Sequence, residues 1–497
     1  MERTAGPDRS KRRAGHGPSG DAPPALDAPR LGLGVKILYG LGSVAFGVKD
    51  NGFQAFLLLF YNQVVGLPAG LVGVAIMVAL VVDACVDPLI GQVSDHWKSR
   101  LGRRHPFMYA AAVPVALSYA LLWNPPRGWE PAALAAFLIV TATMVRSFIS
   151  LYEIPSAALA AELAVDYDER TTILGWRVLF AFAGGLGMTF LAYRVFLRPS
   201  RRYPAGQLDP AGYAHYGLAA AITMLVVIVA SAAGTHRRIP YLAKPGAAPP
   251  RSLARTLAEM KATLSNRPFV IMLASGLFTA IGSGLVGALY LYLMTFYFEL
   301  STATLSLLLL PSALGGLCGP SLASVFSARA GKKWAAIGLE ASAIAVVCAP
   351  VLLRSLSLFP PNGSPLLPPI FLAATALSSP LSVAGLVLMN SMIADTVEAS
   401  ELETGRRSEG LLFSAISFIQ KAVSGAGVLF SGMMLALVRF PQAAKPGAVD
   451  PTVLARLGWG YLAALVVCWG GAIAVMFFYP ISRASHEETL ERLAVAR

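Results

Sequence analysis

Residues 70–94 read GLVGVAIMVALVVDACVDPLIGQVS, an apolar run that carries two carboxylates. A helix needs roughly 20 apolar residues to cross a hydrocarbon core of about 30 Å, and this run is long enough. Asp83 and Asp87 stand four residues apart, so on a helix they stack on one face. An acidic side chain at the centre of a membrane helix costs roughly 2.5–3.5 kcal/mol on insertion scales. The stretch is therefore expected to be a membrane span whose acidic face turns from lipid towards a protein interior or a water-filled cavity.

The rest of the chain repeats this pattern. Its 497 residues are 56% hydrophobic and 13% charged, with a mean hydropathy of +0.61. A soluble domain is roughly a quarter charged, and half that fraction leaves too little to cover a water-facing surface. The net charge of +13 does not point to nucleic acid, because the basic residues gather at the ends of apolar runs. Lys98, Arg100, Arg103 and Arg104 follow one run, and Arg237 and Arg238 follow another. That is the positive-inside bias of a membrane protein. Cys85, Cys318, Cys348 and Cys468 lie within apolar runs without CxxC spacing, which argues for small buried side chains and against disulfides or metal. There is no HExxH, no Walker A loop and no GxSxG elbow in a suitable context. His16, His96, His105, His215, His236 and His486 fall at or outside span ends, so no enzyme and no cofactor are expected.

Twelve spans follow from the same length criterion, at about 37–65, 70–94, 106–123, 132–156, 172–197, 214–234, 269–298, 302–327, 334–354, 368–393, 410–439 and 457–480. The second, sixth and eighth loops are basic, whereas 64–71 and 299–303 are nearly uncharged, which places both termini in the cytoplasm. Arg198, Arg201 and Arg202 run against that rule and are outweighed by the cytoplasmic loops. A parallel repeat is visible: the loop 99–104 (SRLGRR) matches 328–333 (ARAGKK), and Ala161-Glu162 matches Ala394-Asp395 at nearly the same offset. Two six-span halves in one orientation are a carrier architecture, with the solute site between halves near the midplane. The expected organisation is an all-α membrane protein: a disordered tail 1–34, a bundle 35–234, a cytoplasmic linker 235–267, a second bundle 268–480 and a short amphipathic tail 481–497. No output domain follows span twelve, as a membrane solute sensor would require.

Charges inside spans carry the mechanism. Lys49 and Asp50 lie in span one, Asp83 and Asp87 in span two, Arg146 and Glu153 in span four, and Lys421 in span eleven. Arg177 stands one turn into span five, within snorkelling reach of the interface. Left against lipid, these groups would together cost on the order of 20 kcal/mol, so they face an interior or a wet cavity. Asp83 and Asp87, with Asp50 at similar depth, suit a small hard cation such as sodium or lithium, or a proton; alternatively they pair with Lys49, Lys421 and Arg146 to hold the bundle. Arg146 and Glu153, seven residues apart, share a helix face, as a structural pair or as solute contacts, and Pro155 just beyond is expected to kink that helix. At the inner face Asp95, Arg100, Arg104, Glu162, Arg329 and Asp395 form a candidate gate that locks the halves by salt bridges; solvated loops are the alternative.

The chain resembles the major facilitator superfamily and, within it, the glycoside–pentoside–hexuronide:cation symporters. The resemblance rests on Gly47-Val48-Lys49-Asp50, on 83–91 (DACVDPLIG), on Glu153-Ile154-Pro155, on 162–170, on Arg177, and on 404–410 (TGRRSEG) through Lys421, in family order. It implies cation ligands at Asp83 and Asp87, sugar contacts at Lys49, Asp50 and Arg177, and a lysine near the cation site at Lys421. Glu153 stands where the family has a sugar-contacting aspartate. Three departures stand out: Val86 replaces an asparagine that ligates the cation, Ala157 a tryptophan that stacks on the sugar, and Arg146 a small residue. The function implied is alternating-access symport of a sugar, glycoside or uronate with sodium or a proton, by a monomer in the inner membrane. A related branch carries lysolipids, so an amphiphilic anion is the second solute class.

Overall fold

In the computed structural model the described residues are 31–164, 166–242, 267–404 and 409–481, with the side chains of 167, 397–404 and 409–422 outside that description. The elements are α1 (Leu33–Leu41), α2 (Ser43–Gly52), α3 (Ala69–His96), α4 (His105–Leu122), α5 (Pro131–Leu163), α6 (Tyr167–Leu191), α7 (Pro210–His236), α8 (Arg267–Tyr292), α9 (Thr302–Ser355), α10 (Leu367–Thr404), α11 (Glu409–Leu437) and α12 (Pro451–Met476). No strand occurs among the described residues. Among the described residues, nine of these helices are long and apolar enough to span a membrane. Two adjustments and α11 bring these to the twelve expected spans. The first span is built from α1 and α2, and π turns carry it on to Val64. The long α9 holds two spans, broken at Gly331. Of α11, only the side chains from Val423 onward are described. The expected linker begins with α7 running to His236 and a short turn Ile239–Tyr241; its residues 243–266, the tail residues 1–30 and the tail residues 482–497 lie outside the described residues.

The repeat read from the loops is also written in the backbone. Gly102 and Gly331 occupy matching loop positions, and both are left-handed, with φ of 74° and 75°. Only glycine adopts that conformation without a Cβ clash, which explains its presence in both loops. The ends of the first and seventh spans match as well. Val65 N–H donates to Phe60 O and Leu67 N–H to Tyr61 O; Phe298 N–H donates to Leu293 O and Leu300 N–H to Met294 O. Each member of the second pair lies 233 residues after its counterpart (298 − 65 and 300 − 67).

The halves meet along α3 and α11, where small residues let backbones approach closely. A Cβ on Gly432 would sit 2.3 Å from Ala69 O. Among the described residues, the hydrogen bonds joining the halves cluster at the end carrying residues 65–68, 197–209 and 438–450. Gln63 Nε2 donates to Pro441 O (3.0 Å) and Gln63 Oε1 accepts from Ala444 N–H (2.9 Å). Tyr292 Oη donates to Asn62 Oδ1 (2.7 Å), and Gln207 Nε2 to Thr295 Oγ1 (3.1 Å). Within the first half, Phe56, Phe60, Trp123, Tyr213 and Tyr216 form a buried aromatic cluster near this end, with Trp123 stacked on Tyr213.

Candidate functional site

Among the described residues the intraspan charges fall into three groupings. In the first, Arg146 of α5 reaches Asp83 of α3. Its Nη2 lies 3.1 Å and its Nε 3.2 Å from Asp83 Oδ2. Ser150, one turn along α5, donates to Asp83 Oδ1 at 3.0 Å. Asp83 is 2% exposed and Arg146 6%, and the guanidinium lies 5.6 Å from the Phe53 ring centroid. Burying one such charge alone would cost several kcal/mol, about what each ion here recovers through its partner and hydrogen bonds.

In the second network, Arg177 of α6 pairs with Glu153 of α5. It also donates to Ser156 Oγ at 2.7 Å and to Tyr39 Oη at 3.3 Å, while Tyr39 Oη donates to Ser156 O. Arg177 does not snorkel to an interface. It sits ten residues past Tyr167, where α6 begins, and is 7% exposed. Arg146 and Glu153 share α5 without pairing with each other: one turns to α3 and the other to α6.

The third grouping lies on α2. Lys49 is buried, with its Nζ 4.5 Å from the Phe46 ring and 3.4 Å from Asp50 Oδ1. The Asp50 side chain is 54% exposed, so it faces open space while its neighbour is enclosed. Asp87 is half-buried, one turn beyond Asp83. The side chain of Lys421 lies outside the described residues.

A cavity of about 440 Å³ opens between the halves. Its wall takes Asn51 and Gln54 from the first half and Tyr290, Ser312, Thr375 and Trp469 from the second, and among the described residues its lining holds no Asp, Glu, Lys, Arg or His. Volumes of roughly 300–1,000 Å³ with a few placed polar groups are typical of small-molecule sites. Sequence reasoning missed these residues because neutral amides and hydroxyls leave no mark on a hydropathy profile. It also missed Ser150, although the i,i+4 spacing from Arg146 signals a shared face. Glu340 was missed too: it lies in α9, and its Oε2 packs 2.4 Å from where a Cβ on Gly385 would stand. A lone acid in the run 334–354 was the available signal.

The gate residues sit differently from the expected lock. Arg104 reaches Asp95 Oδ1 (2.5 Å) and Glu162 Oε1 (3.0 Å), and Arg103 reaches the same Glu162 oxygen (2.8 Å). Asp395 is held by Lys332 at 2.7 Å. Among the described residues, each of these ion pairs ties elements within one half. Arg100 and Arg329 are exposed, and neither makes an ion pair among the described residues. In the second half the partner of Asp395 is Lys332, next to the kink at Gly331.

Two pseudo-symmetric six-helix halves around a cavity whose described lining is uncharged, with buried ion pairs inside the first half, define a polytopic membrane carrier of the major facilitator fold. Residues 38–483 match the family described as "MFS/sugar transport protein", and the chain belongs to that family. It is 24% identical over 465 residues to a protein of Escherichia coli (strain K12) provisionally named a glycoside/cation symporter, YagG, covering 92% of this chain and 94% of the relative. It is 24% identical over 456 residues to the glucuronide carrier protein homolog of the same organism, covering 90% and 93%. Among solved structures, the inward-open xylose transporter XylE from E. coli superposes with a TM-score of 0.55 at 15% identity, covering 92% of this chain and 99% of that one. This last likeness concerns the fold alone.

Proposed function

We propose that this protein carries a sugar, glycoside or uronate across the inner membrane together with a cation, sodium or a proton, by alternating access. The observation that carries the reading is the cavity of about 440 Å³ shared by both halves, whose described lining offers amides, hydroxyls and aromatic rings and no charged group. A carbohydrate's hydroxyls match amides, hydroxyls and aromatic faces, and its passage requires each half to contribute to the site. The names of the relatives, a glycoside/cation symporter and a glucuronide carrier homolog, agree with it.

On this reading both termini lie in the cytoplasm, and the end closed by Gln63, Asn62 and Tyr292 faces outward. Asp50, Asp83 and Asp87 are the candidate cation carboxylates; Lys49, Asp50, Arg146, Glu153, Arg177 and Lys421 are the candidate solute contacts. Coupling requires each ligand to raise the other's affinity. The test is counterflow in proteoliposomes with labelled glycosides and uronates, each under a sodium gradient and a proton gradient. Accelerated exchange with one solute establishes a carrier. Binding without exchange would make the protein a sensor and end this proposal.

A further inference from the structure

The carrier reading assigns three carboxylates to the coupling cation, and their surroundings differ. Asp50 has a half-exposed side chain, and Asp87 is half-buried. Asp83 is enclosed, and both its oxygens already accept from donors. Arg146 Nε and Nη2 converge on Oδ2 at 3.2 and 3.1 Å, and Ser150 Oγ lies on Oδ1 at 3.0 Å. A carboxylate offers about four lone-pair sites, and three are directed at these donors. A metal cation needs those lone pairs, not the N–H groups that fill them.

We infer that Arg146 is a built-in counter-cation that keeps alkali cations off Asp83, so that this carboxylate is not a sodium ligand. The inference rests on the carrier reading and narrows it. The guanidinium is a planar cation with five donors and no acceptor, so it has no lone pair to offer a metal ion. Its charge cancels that of Asp83, leaving a neutral pair with no net attraction for a further cation. A sodium ion placed against Asp83 would sit about 4 Å from a permanent positive charge, which at protein-like dielectric weakens binding by a hundredfold or more, as an order of magnitude. Displacing Arg146 is the other route, and it is blocked by enclosure: the side chain is 6% exposed and packs over Phe53. Arg146 is thus a positioning and selectivity residue.

The experiment measures unfolding temperature of the purified full-length protein in sodium chloride against choline chloride at equal ionic strength. Wild type and Arg146→Lys, which retains the positive charge, are expected to show no sodium-specific shift that depends on Asp83. Arg146→Ala is expected to gain a sodium-specific stabilisation, with apparent affinity at least about a hundredfold tighter than wild type, and Arg146→Ala combined with Asp83→Asn to lose it. A sodium-specific shift in wild type that Asp83→Asn abolishes would overturn the inference, as would a folded Arg146→Ala protein that gains no sodium response. A wild-type shift that survives Asp83→Asn places the ion elsewhere and supports it. Should Arg146→Ala fail to fold, the wild-type and Asp83→Asn comparison decides alone. None of these readouts requires transport, so failed counterflow would remove the carrier reading without deciding this one.

Discussion

Arg177 of α6 and Glu153 of α5 form an ion pair inside the first half, and Tyr39 Oη and Ser156 Oγ also accept from the guanidinium. Arg177→Ala leaves Glu153 without its cation in a mostly enclosed site, and breaking a buried pair on one side costs about 3–5 kcal/mol. The partial exposure of Glu153, 26% of its side chain, argues for the lower end of that range. Arg177→Lys restores the charge but not the fork that reaches Glu153, Ser156 and Tyr39 together, so it recovers only part of the loss. Thermal unfolding of the two variants and of the double variant Arg177→Ala/Glu153→Gln checks this: the double variant should be more stable than Arg177→Ala alone. An additive loss would show that the two groups are not energetically coupled.

Asp50 gives the opposite separation of stability from activity. Its side chain is 54% exposed, and its contact with Lys49 is 3.4 Å. Asp50 is the exposed member of a long contact with a buried lysine, so Asp50→Asn should change unfolding free energy by no more than about 1 kcal/mol. If Asp50 faces the translocation path, uptake falls tenfold or more in the same variant. Uptake by Asp50→Asn proteoliposomes at wild-type rates would remove the residue from the site.

What was readable in the sequence and what was not divide along a physical line. Spans were readable because the hydrocarbon core imposes a length on every helix alike, and the run 70–94 matches Ala69–His96 closely. The repeat was readable because a reversing turn needs a glycine, at Gly102 and again at Gly331. Pairing was not. Helical spacing states which face Arg146 and Glu153 share, but not that α3 and α6 pack on either side of that face and draw the two apart. Arg177 looked shallow because the apolar run begins near 172, while the helix begins at Tyr167 in a charged loop. Neutral cavity residues such as Gln54 and Trp469 had no signal in a search for misplaced charges.

The matched glycines make a quantitative comparison. Gly102 and Gly331 have φ of 74° and 75°, and neither has a crowding neighbour: a Cβ on Gly102 would meet Ile239 Cγ2 at 3.6 Å, and one on Gly331 nothing within 4 Å. The penalty for alanine is then backbone strain, about 1–3 kcal/mol at either position, with Gly331 at ψ 158° in a region that essentially only glycine occupies. The two single variants should lose similar stability, and Gly102→Ala/Gly331→Ala should lose the sum, since the loops belong to different halves. Unfolding temperatures that differ widely between the two single variants would contradict equivalent turns.

Gln63 offers a handle on the conformational equilibrium. Its amide nitrogen donates to Pro441 O and its amide oxygen accepts from Ala444 N–H, so one side chain makes two of the hydrogen bonds that hold the halves together at this end. Both are lost when the halves part here, whereas contacts inside each half survive. Gln63→Ala therefore penalises only the closed form of this end, by about 0.5–1.5 kcal/mol for each bond. A total near 2 kcal/mol moves a two-state population by more than about tenfold. Gln63→Glu keeps the acceptor for Ala444 but turns the donor facing Pro441 O into a second acceptor, so it should open this end at least as far as alanine. Spin labels at Ser200 and Lys445, one on each half beside the cavity lined by Gln63, Arg201 and Lys445, report the change as a longer distance component by pulsed electron resonance. The component should grow in both variants and should be unchanged in Arg100→Ala, whose side chain makes no ion pair among the described residues. An identical distance distribution in wild type and Gln63→Ala would mean that other contacts, those of Tyr292 with Asn62 among them, set the equilibrium.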